Sequence, residues 1–305
     1  MKTKASVLLG ALFLVGIAAG CFAAGAEAPP PPVYFHDVDM FIDAAVYDTI
    51  AQSSFLKEQF SGFQERTTQR DNGAGPYSYS FVGIRGRQTY LGIFKPPLRP
   101  KGWLTFNLWV DDRTKLPLIR DSLARETLLK PEIRPSKVLI GGRSITQFDS
   151  TQAEFAGETE NLPLAATKVI SLYPDFLRQA FPDIKPEQEG TTRDKERARQ
   201  YEPGRLLNDI TRFTFTADKT ETEHLLQEFR AYGYAITTDG AKRIATGPEI
   251  EFVLLPIEPG AARKLAIGMK LNRPKPGEQS FQFADSELRF NGDTATWYFP
   301  AGWRP

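Results

Sequence analysis

The sequence has one cysteine and two histidines. A single cysteine excludes a disulfide framework and any C-x-x-C redox or metal motif. Two histidines exclude a histidine-rich metal site and disfavour a catalytic triad. No serine or cysteine stands in a G-x-S-x-G or Cys/His context. An excess of one charge is missing too. The chain carries 38 Lys and Arg against 37 Asp and Glu, a net charge of +1. That balance argues against a nucleic-acid partner, which asks for a basic face. What is present is a globular composition, 41% hydrophobic and 25% charged, with 22 Phe, 10 Tyr and 4 Trp for a core. The 305 residues suffice for two ordinary domains or one large one.

The long apolar run lies at the N-terminus. Lys2 and Lys4 precede an uncharged segment, Ala5 to Ala26, whose apolar centre holds Val7, Leu8, Leu9, Leu12, Phe13, Leu14, Val15 and Ile17. A centre of about eleven residues is in the range of an export signal and short for a membrane span. Ala18-Ala19-Gly20-Cys21 resembles a bacterial lipobox, with Ala where Leu is commoner. That resemblance implies lipidation of Cys21 as the first mature residue. Phe22 in place of Asp then implies the periplasmic side of the outer membrane or the cell surface. Ordinary signal cleavage after Ala24-Gly25-Ala26 is the alternative and gives a soluble secreted or periplasmic protein. Pro29 to Pro32 suit a stiff tether.

The mature chain reads as short strands interrupted by single helices. In Val33 to Ile42, His36, Val38, Met40 and Ile42 alternate with Asp37, Asp39 and Phe41, a strand pattern. Asp43 can cap a helix over Ala44 to Phe63, with Ser53-Ser54 as an interruption. Glu65 to Arg70, Tyr77 to Ile84 and Gln88 to Phe94 are predicted strands, giving β-α-β-β-β. Trp103 to Tyr173 repeats that order: a strand to Val110, a helix from Arg113 to about Leu129 capped at Asp111-Asp112, then strands at Lys137–Ile140, Ser144–Asp149 and Lys168–Tyr173. Pro174 to Ala180 is a short helix. Lys185 to Arg199 mixes charges of both signs and reads as a solvated linker or exposed helix. A third unit follows: strand Ile210–Thr216, helix Thr220–Tyr232 ended by Gly233, and strands Tyr234–Thr237, Glu249–Leu255 and Lys264–Leu271. A hairpin closes the chain around Asn291-Gly292.

Repeated β-α-β-β-β units are the building block of the vicinal-oxygen-chelate, or glyoxalase-like, superfamily. Phe35-His36-Asp37-Val38-Asp39-Met40-Phe41-Ile42-Asp43 resembles its opening strand. The segments Ser54 to Phe60, Glu65 to Thr68, Thr89 to Phe94, Tyr173 to Leu177, Leu206 to Thr211, Ser286 to Phe290 and Ala295 to Trp297 resemble a bacterial glyoxalase-like family of unknown function. The resemblance implies an α+β fold of two to three units forming cupped mixed sheets. It also implies two metal ligands from each of two units, holding a divalent ion whose open positions take substrate oxygens. His36 falls on the first ligand position. Gly92, Leu104 or Thr105, and Ser171 stand at the other three and offer no matching ligand. The expected state is therefore a degenerate site with no metal and no cofactor.

The division expected is an export signal over 1–20, a Pro-rich tether over 21–32, and a glyoxalase-like domain of two units over 33–175. A helical, charged linker over 176–207 and a C-terminal unit with its closing hairpin over 208–305 complete it. The chain reads as an exported, lipid-anchored binding or scaffold module of the cell envelope. The alternative is a divalent-metal-dependent lyase, isomerase or dioxygenase-like enzyme acting on a small carbonyl or diol compound through His36 as catalytic residue. Arg66, Tyr79 and Tyr90 are the candidate ligand-pocket residues. Asp37, Asp39 and Asp43 read as solvent-facing or capping, Gly141-Gly142 as a turn, and His224 as a residue on an exposed helix face. The partners expected are a small-molecule ligand and, through the anchor, a membrane. Exchange of units between protomers occurs in that superfamily, so a homodimer is compatible with the pattern.

Overall fold

The computed structural model describes residues 31–71, 75–95, 99, 101–126, 130–152, 165–182, 192–258, 261, 263–277 and 279–299. The export segment, Cys21, Pro29, Pro30, the Asn72-Gly73 turn, the loop 157–163 and Lys185 to Glu189 lie outside them. No helix among the described residues is long and apolar enough to cross a membrane.

The fold is α+β, built from β-α-β-β-β units. The first runs β1 (Tyr34–Phe41), α1 (Ala44–Gln52), β2 (Gly62–Asp71), β3 (Pro76–Arg85) and β4 (Tyr90–Phe94). Asp43 accepts from the Ala45 N–H at 2.9 Å and starts α1, and Val46 and Ile50 bury its apolar side. Ser53 ends that helix, and its hydroxyl takes the Leu56 N–H to begin a separate wide turn over Leu56–Phe60. The second unit runs β5 (Leu104–Trp109), α2 (Leu116–Glu126), β6 (Glu132–Ile140), β7 (Arg143–Gln152) and β8 (Ala165–Leu172). Asp112 caps the short turn leading into α2. Gly141 and Gly142 take φ of 56° and 75°, the left-handed turn that joins β6 to β7.

These two units close on each other as a barrel, in the order β1-β4-β3-β2-β6-β7-β8-β5. One seam, β1 against β5, pairs six residues. The other, β2 against β6, pairs only Arg70 with Val138 and Asp71 with Lys137. Two short helices follow, α3 (Pro174–Ala180) and α4 (Arg193–Ala198).

The third unit is β9 (Leu207–Ala217), α5 (Lys219–Ala231), β10 (Ala235–Asp239), β11 (Lys242–Gly247) and β12 (Ile250–Pro256). Then come β13 (Leu265–Leu271), β14 (Ser280–Phe283), β15 (Ser286–Asn291) and β16 (Thr294–Phe299). The second sheet has the order β10-β11-β12-β9-β13-β16-β15-β14. Three β-α-β-β-β units are present, as expected, and the last four strands repeat the strand order of a unit as a fourth copy without a helix among the described residues. Two features hid the fourth. β11 and β14 are short and half-exposed and lack an apolar period, so β13 was assigned to the third unit. No helix follows β13. Its place over β14 and β15 is filled by the first unit: Phe55 stacks on Phe281 at 3.8 Å, and Phe60 meets Phe290 at 6.0 Å.

Barrel and second sheet share one core. Phe35, Val38 and Met40 on the outer face of β1 and Leu104, Phe106 and Leu108 on β5 are buried with Phe213, Phe215, Phe229 and Phe252. Phe106 lies 5.1 Å from Phe213 and 4.9 Å from Phe252, edge to face. Each such ring contributes on the order of 2–3 kcal/mol through burial alone. His224 is not on an exposed face. α5 packs against β8, which places its Nε2 3.3 Å from Glu228, itself the acceptor of the Thr167 hydroxyl.

Candidate functional site

The interior of the barrel is a cavity of about 730 Å³. It is framed at one end by the start of β1, the end of β3 and the start of β4, where Arg85 pairs with Tyr90 and Tyr90 with Asp37. At the other end Phe41, Phe81 and Phe94 stack as an apolar collar, with Phe94 5.0 Å from Phe41 and 5.4 Å from Phe81.

The strand alternation puts Asp37, Asp39 and Phe41 on the inner face of β1, with Val38 and Met40 in the core behind. Asp37 and Asp39 are therefore cavity residues and not solvent-facing ones. His36 breaks the alternation. The β1–β5 register slips between Phe35 and Asp37, so His36 is the extra residue of a bulge. The bulge lets Phe35 stay in the core while His36 and Asp37 both reach the cavity.

His36 is boxed in. Its ring stacks on Trp109 at 4.8 Å and meets the edge of Tyr90 at 5.6 Å. Nδ1 lies 2.5 Å from Asp37 Oδ1, and Nε2 lies 3.6 Å from Glu196 Oε2. Asn107 Nδ2 donates to the other Asp37 oxygen at 2.6 Å.

Glu196 comes from α4, inside the charged run read as solvated. The structure corrects that reading: Arg193, Glu196 and Arg197 are each 4% exposed. α4 lies across the end of the barrel. Arg193 donates to the Phe35 carbonyl at 2.8 Å and pairs with Glu249 at 2.5 Å. Gln88 donates to Asp194 at 2.7 Å. Arg197 pairs with Glu196, and its guanidinium sits 4.4 Å from the Tyr90 ring centre. The mixed charges pair with residues distant in sequence, which a local charge pattern does not reveal.

Burial pushes the Glu196 carboxyl up, but the Arg197 charge and His36 outweigh it and hold it at about 2. Asp37 is also held below the usual carboxylate range, burial being outweighed by His36, Arg197 and Asn107. Asp39 goes the other way, to about 6, through burial and then the Asp37 charge. Lys168 on β8 is pulled down, first by burial, against the pull of Asp39 and Asp37.

Arg66, Tyr79 and Tyr90, the expected pocket residues, all line the cavity. Arg66 lies over Phe81, and Arg70 donates to the Tyr79 hydroxyl at 2.9 Å and to Ser136 at 3.0 Å. Arg70, Arg85, Lys168 and Arg197 were not anticipated. The inward parity of β2, β3 and β8 was the available signal for the first three.

The residues do not fit the divalent ion that the resemblance implies. On β8 the inward residues are Lys168, Ile170 and Leu172, so Ser171 faces away; on β5 Asn107, and neither Leu104 nor Thr105, lines the cavity. Among the described residues no group of three or more His, Cys, Asp or Glu is arranged to hold a metal ion. The two central aspartates share the chamber with the Lys168 ammonium, which repels a metal cation. Gly92 opens the wall beside Asp39: a Cβ there would lie 3.2 Å from Asp39 Oδ1.

Residues 37–299 match the family of unknown function DUF5829, so the chain belongs to that family. No curated protein matches the sequence. Among solved structures the chain is similar to a hypothetical protein from Staphylococcus aureus (10% identity, TM-score 0.44, covering 74% of this chain and 86% of that one). It is also similar to a xylose isomerase-like TIM barrel/4-hydroxyphenylpyruvate dioxygenase fusion protein (12%, 0.41, 77% and 34%). A third is BphC, a halotolerant catechol dioxygenase (8%, 0.38, 77% and 67%).

Proposed function

We propose that this member of DUF5829 is an exported, lipid-anchored binding protein of the cell envelope, with the barrel as its small-molecule chamber. The carrying observation is the cavity of about 730 Å³, within the range of small-molecule sites. Residues that line it carry buried polar atoms without a hydrogen-bond partner among the described residues, among them Arg85 Nε, Arg197 Nη1 and Asn107 Oδ1. Lys2, Lys4, the apolar run and Cys21 support export and anchoring, and the Pro29 to Pro32 tether supports a domain held off the membrane. Binding is favoured over metal-dependent turnover because only His36 of the four expected ligand positions carries a matching ligand and Lys168 stands in the chamber. The units pair within one chain, so the chamber needs no second protomer for closure.

One feature supports the alternative of catalysis: a histidine oriented by an aspartate, at the cavity wall, is the arrangement of a general base. Here its far nitrogen is buried and faces Glu196, which pairs with Arg197.

The test is native mass spectrometry with metal analysis on the mature chain purified without chelator, together with labelled-palmitate incorporation. A co-purified small molecule, no stoichiometric metal and label lost in Cys21→Ser are expected. One divalent ion per chain, with turnover of a carbonyl compound lost in His36→Ala, overturns the reading in favour of the enzyme.

A further inference from the structure

We infer that the chamber takes a small aromatic carboxylate, its acid group seated between Arg85 and Arg197 above Tyr90 and its ring directed toward the collar of Phe41, Phe81 and Phe94. The inference rests on the binding reading above and specifies the ligand.

Cations outnumber anions on the chamber wall. Arg66, Arg70, Arg85, Arg99, Lys168 and Arg197 face three carboxylates, Asp37, Asp39 and Glu196. Two of the three are already engaged, Glu196 by Arg197 and His36, and Asp37 by His36 and Asn107. Among the described residues, Arg66, Arg70 and Arg85 have no carboxylate at ion-pairing distance. Arg70 is held instead by Tyr79 and Ser136, and Arg85 donates to Gln64 at 2.6 Å.

The seat is the place where this excess is most deeply buried. Arg85 and Arg197 are both 4% exposed, and their guanidinium carbons stand 4.2 and 4.4 Å from the same Tyr90 ring centre. Two like charges over one ring repel. Arg85 Nε and Arg197 Nη1 make no hydrogen bond among the described residues. A buried donor left unpaired costs about 1–3 kcal/mol, more when charged. A carboxylate meets this excess of positive charge: it is planar and accepts from the guanidinium N–H groups that line the chamber. The Tyr90 hydroxyl, kept protonated by burial and then by the Asp37 charge, stays neutral beside it.

The rest of the chamber sets the ligand's body. Asn107 is oriented by its bond to Asp37, which leaves its Oδ1 without a hydrogen-bond partner among the described residues. The apolar lining falls in two groups, Ile170, Leu172 and Phe148 packed with Trp109, and the separate collar of Phe41, Phe81 and Phe94. An inorganic anion would satisfy the seat and leave that surface wet. A neutral apolar molecule would leave Arg85 with Gln64 alone and no counter-charge among the described residues.

The experiment uses the mature full-length chain and calorimetric titration with benzoate, phenylacetate, 3-phenylpropanoate and indole-3-acetate, with 3-phenylpropanamide and inorganic phosphate as comparators. At least one carboxylate is expected to bind, about tenfold or more tighter than the amide and than phosphate. Arg85→Gln is expected to weaken it by about tenfold. Arg85→Lys, which keeps the charge and the fold, is expected to recover part of that loss. Equal binding of carboxylate and amide overturns the inference and leaves the chamber reading standing. So does carboxylate binding unchanged in a folded Arg85→Gln. Absence of binding by all four carboxylates, alongside a neutral co-purified molecule, also overturns it while sparing that reading. A chamber that neither binds a probe nor retains a molecule overturns both.

Discussion

Asp209 Oδ1 accepts both the backbone N–H of Thr89, at 3.0 Å, and its hydroxyl, at 2.8 Å, across 120 residues of sequence. The same oxygen takes the Gln88 N–H at 2.9 Å, while the Thr89 hydroxyl in turn accepts from the Ile210 N–H at 3.0 Å. This knot fastens the β3–β4 turn of the barrel to β9 of the second sheet. Gly86 makes it possible, since a Cβ there would lie 2.9 Å from both the Asn208 carbonyl and Asp209 Oδ1.

Asp209→Ala removes three accepted bonds and leaves their donors buried. A loss of roughly 3 kcal/mol is expected, read as a fall in the denaturant midpoint. Asp209→Asn keeps an acceptor oxygen and is expected to lose less than half of that. Equal losses in the two variants would show that the carboxylate geometry is not what holds the joint.

Glu196→Gln should be among the most destabilising single changes at the end of the barrel. It leaves Arg197 buried without its counter-charge, a defect costing about 3–5 kcal/mol. Glu196→Ala combined with Arg197→Met should recover much of the loss. Chemical denaturation of the three proteins decides it, and a single variant within 1 kcal/mol of the parent would contradict the pairing.

The Asp39 carboxyl gives the fold an unusual acid response. Its folded value of about 6 lies above the ordinary 3.8, so between about pH 6 and 4 the native state binds a proton that the unfolded chain does not. Its effect is to raise stability as pH falls through that window, by about 1–2 kcal/mol after allowance for solvent in the chamber. Glu196 acts oppositely: its folded value of about 2 is below the ordinary 4.5, and its contribution is lost as pH falls from there. Stability should therefore rise as pH falls from about 6 and peak near pH 4.5. Anion affinity should rise over the same descent, by up to about tenfold. Asp39→Asn should flatten both curves between pH 7 and 5.

Gly92→Ala tests the crowding beside Asp39. The added carbon meets Asp39 Oδ1 at 3.2 Å and the Phe94 ring at 3.1 Å. A cost of about 1–2 kcal/mol is expected, with weaker ligand binding because the carboxylate is pressed into the chamber. Tighter binding with undiminished stability would count against this geometry.

Excess zinc, manganese or iron(II) should leave the melting temperature unchanged, because a ligand bound to the native state alone raises it by mass action. A metal-dependent rise that disappears in His36→Ala would reverse the conclusion drawn from Lys168 and Gly92.

Local chemistry was legible in the sequence where it is carried by neighbours. Asp43 caps α1, Gly233 ends α5 at φ 83°, and Gly292 at φ 60° makes the β15–β16 turn. The inward parity of Arg66, Tyr79 and Tyr90 follows from strand period. What stayed hidden depends on distant partners. The bulge at His36 exists because Phe35 is drawn into a core completed by Phe213 and Phe252. The burial of Glu196 and Arg197 depends on His36 and Tyr90, far along the chain. The segments Thr89 to Phe94 and Leu206 to Thr211, which carried part of the family resemblance, meet in the Asp209 knot. They report the joint as much as the chamber.

Phe55 and Phe60 belong to the first unit, yet Phe281 and Phe290, from the last, cover them. A chain is made from its N-terminus onward. The barrel strands are all synthesised before β14 exists, so a nascent chain carries a bare aromatic flank until β14 and β15 emerge. Shortened forms ending before Phe290 would inherit that flank permanently and should self-associate. Successful maturation thus favours chaperone custody until those two strands have been made.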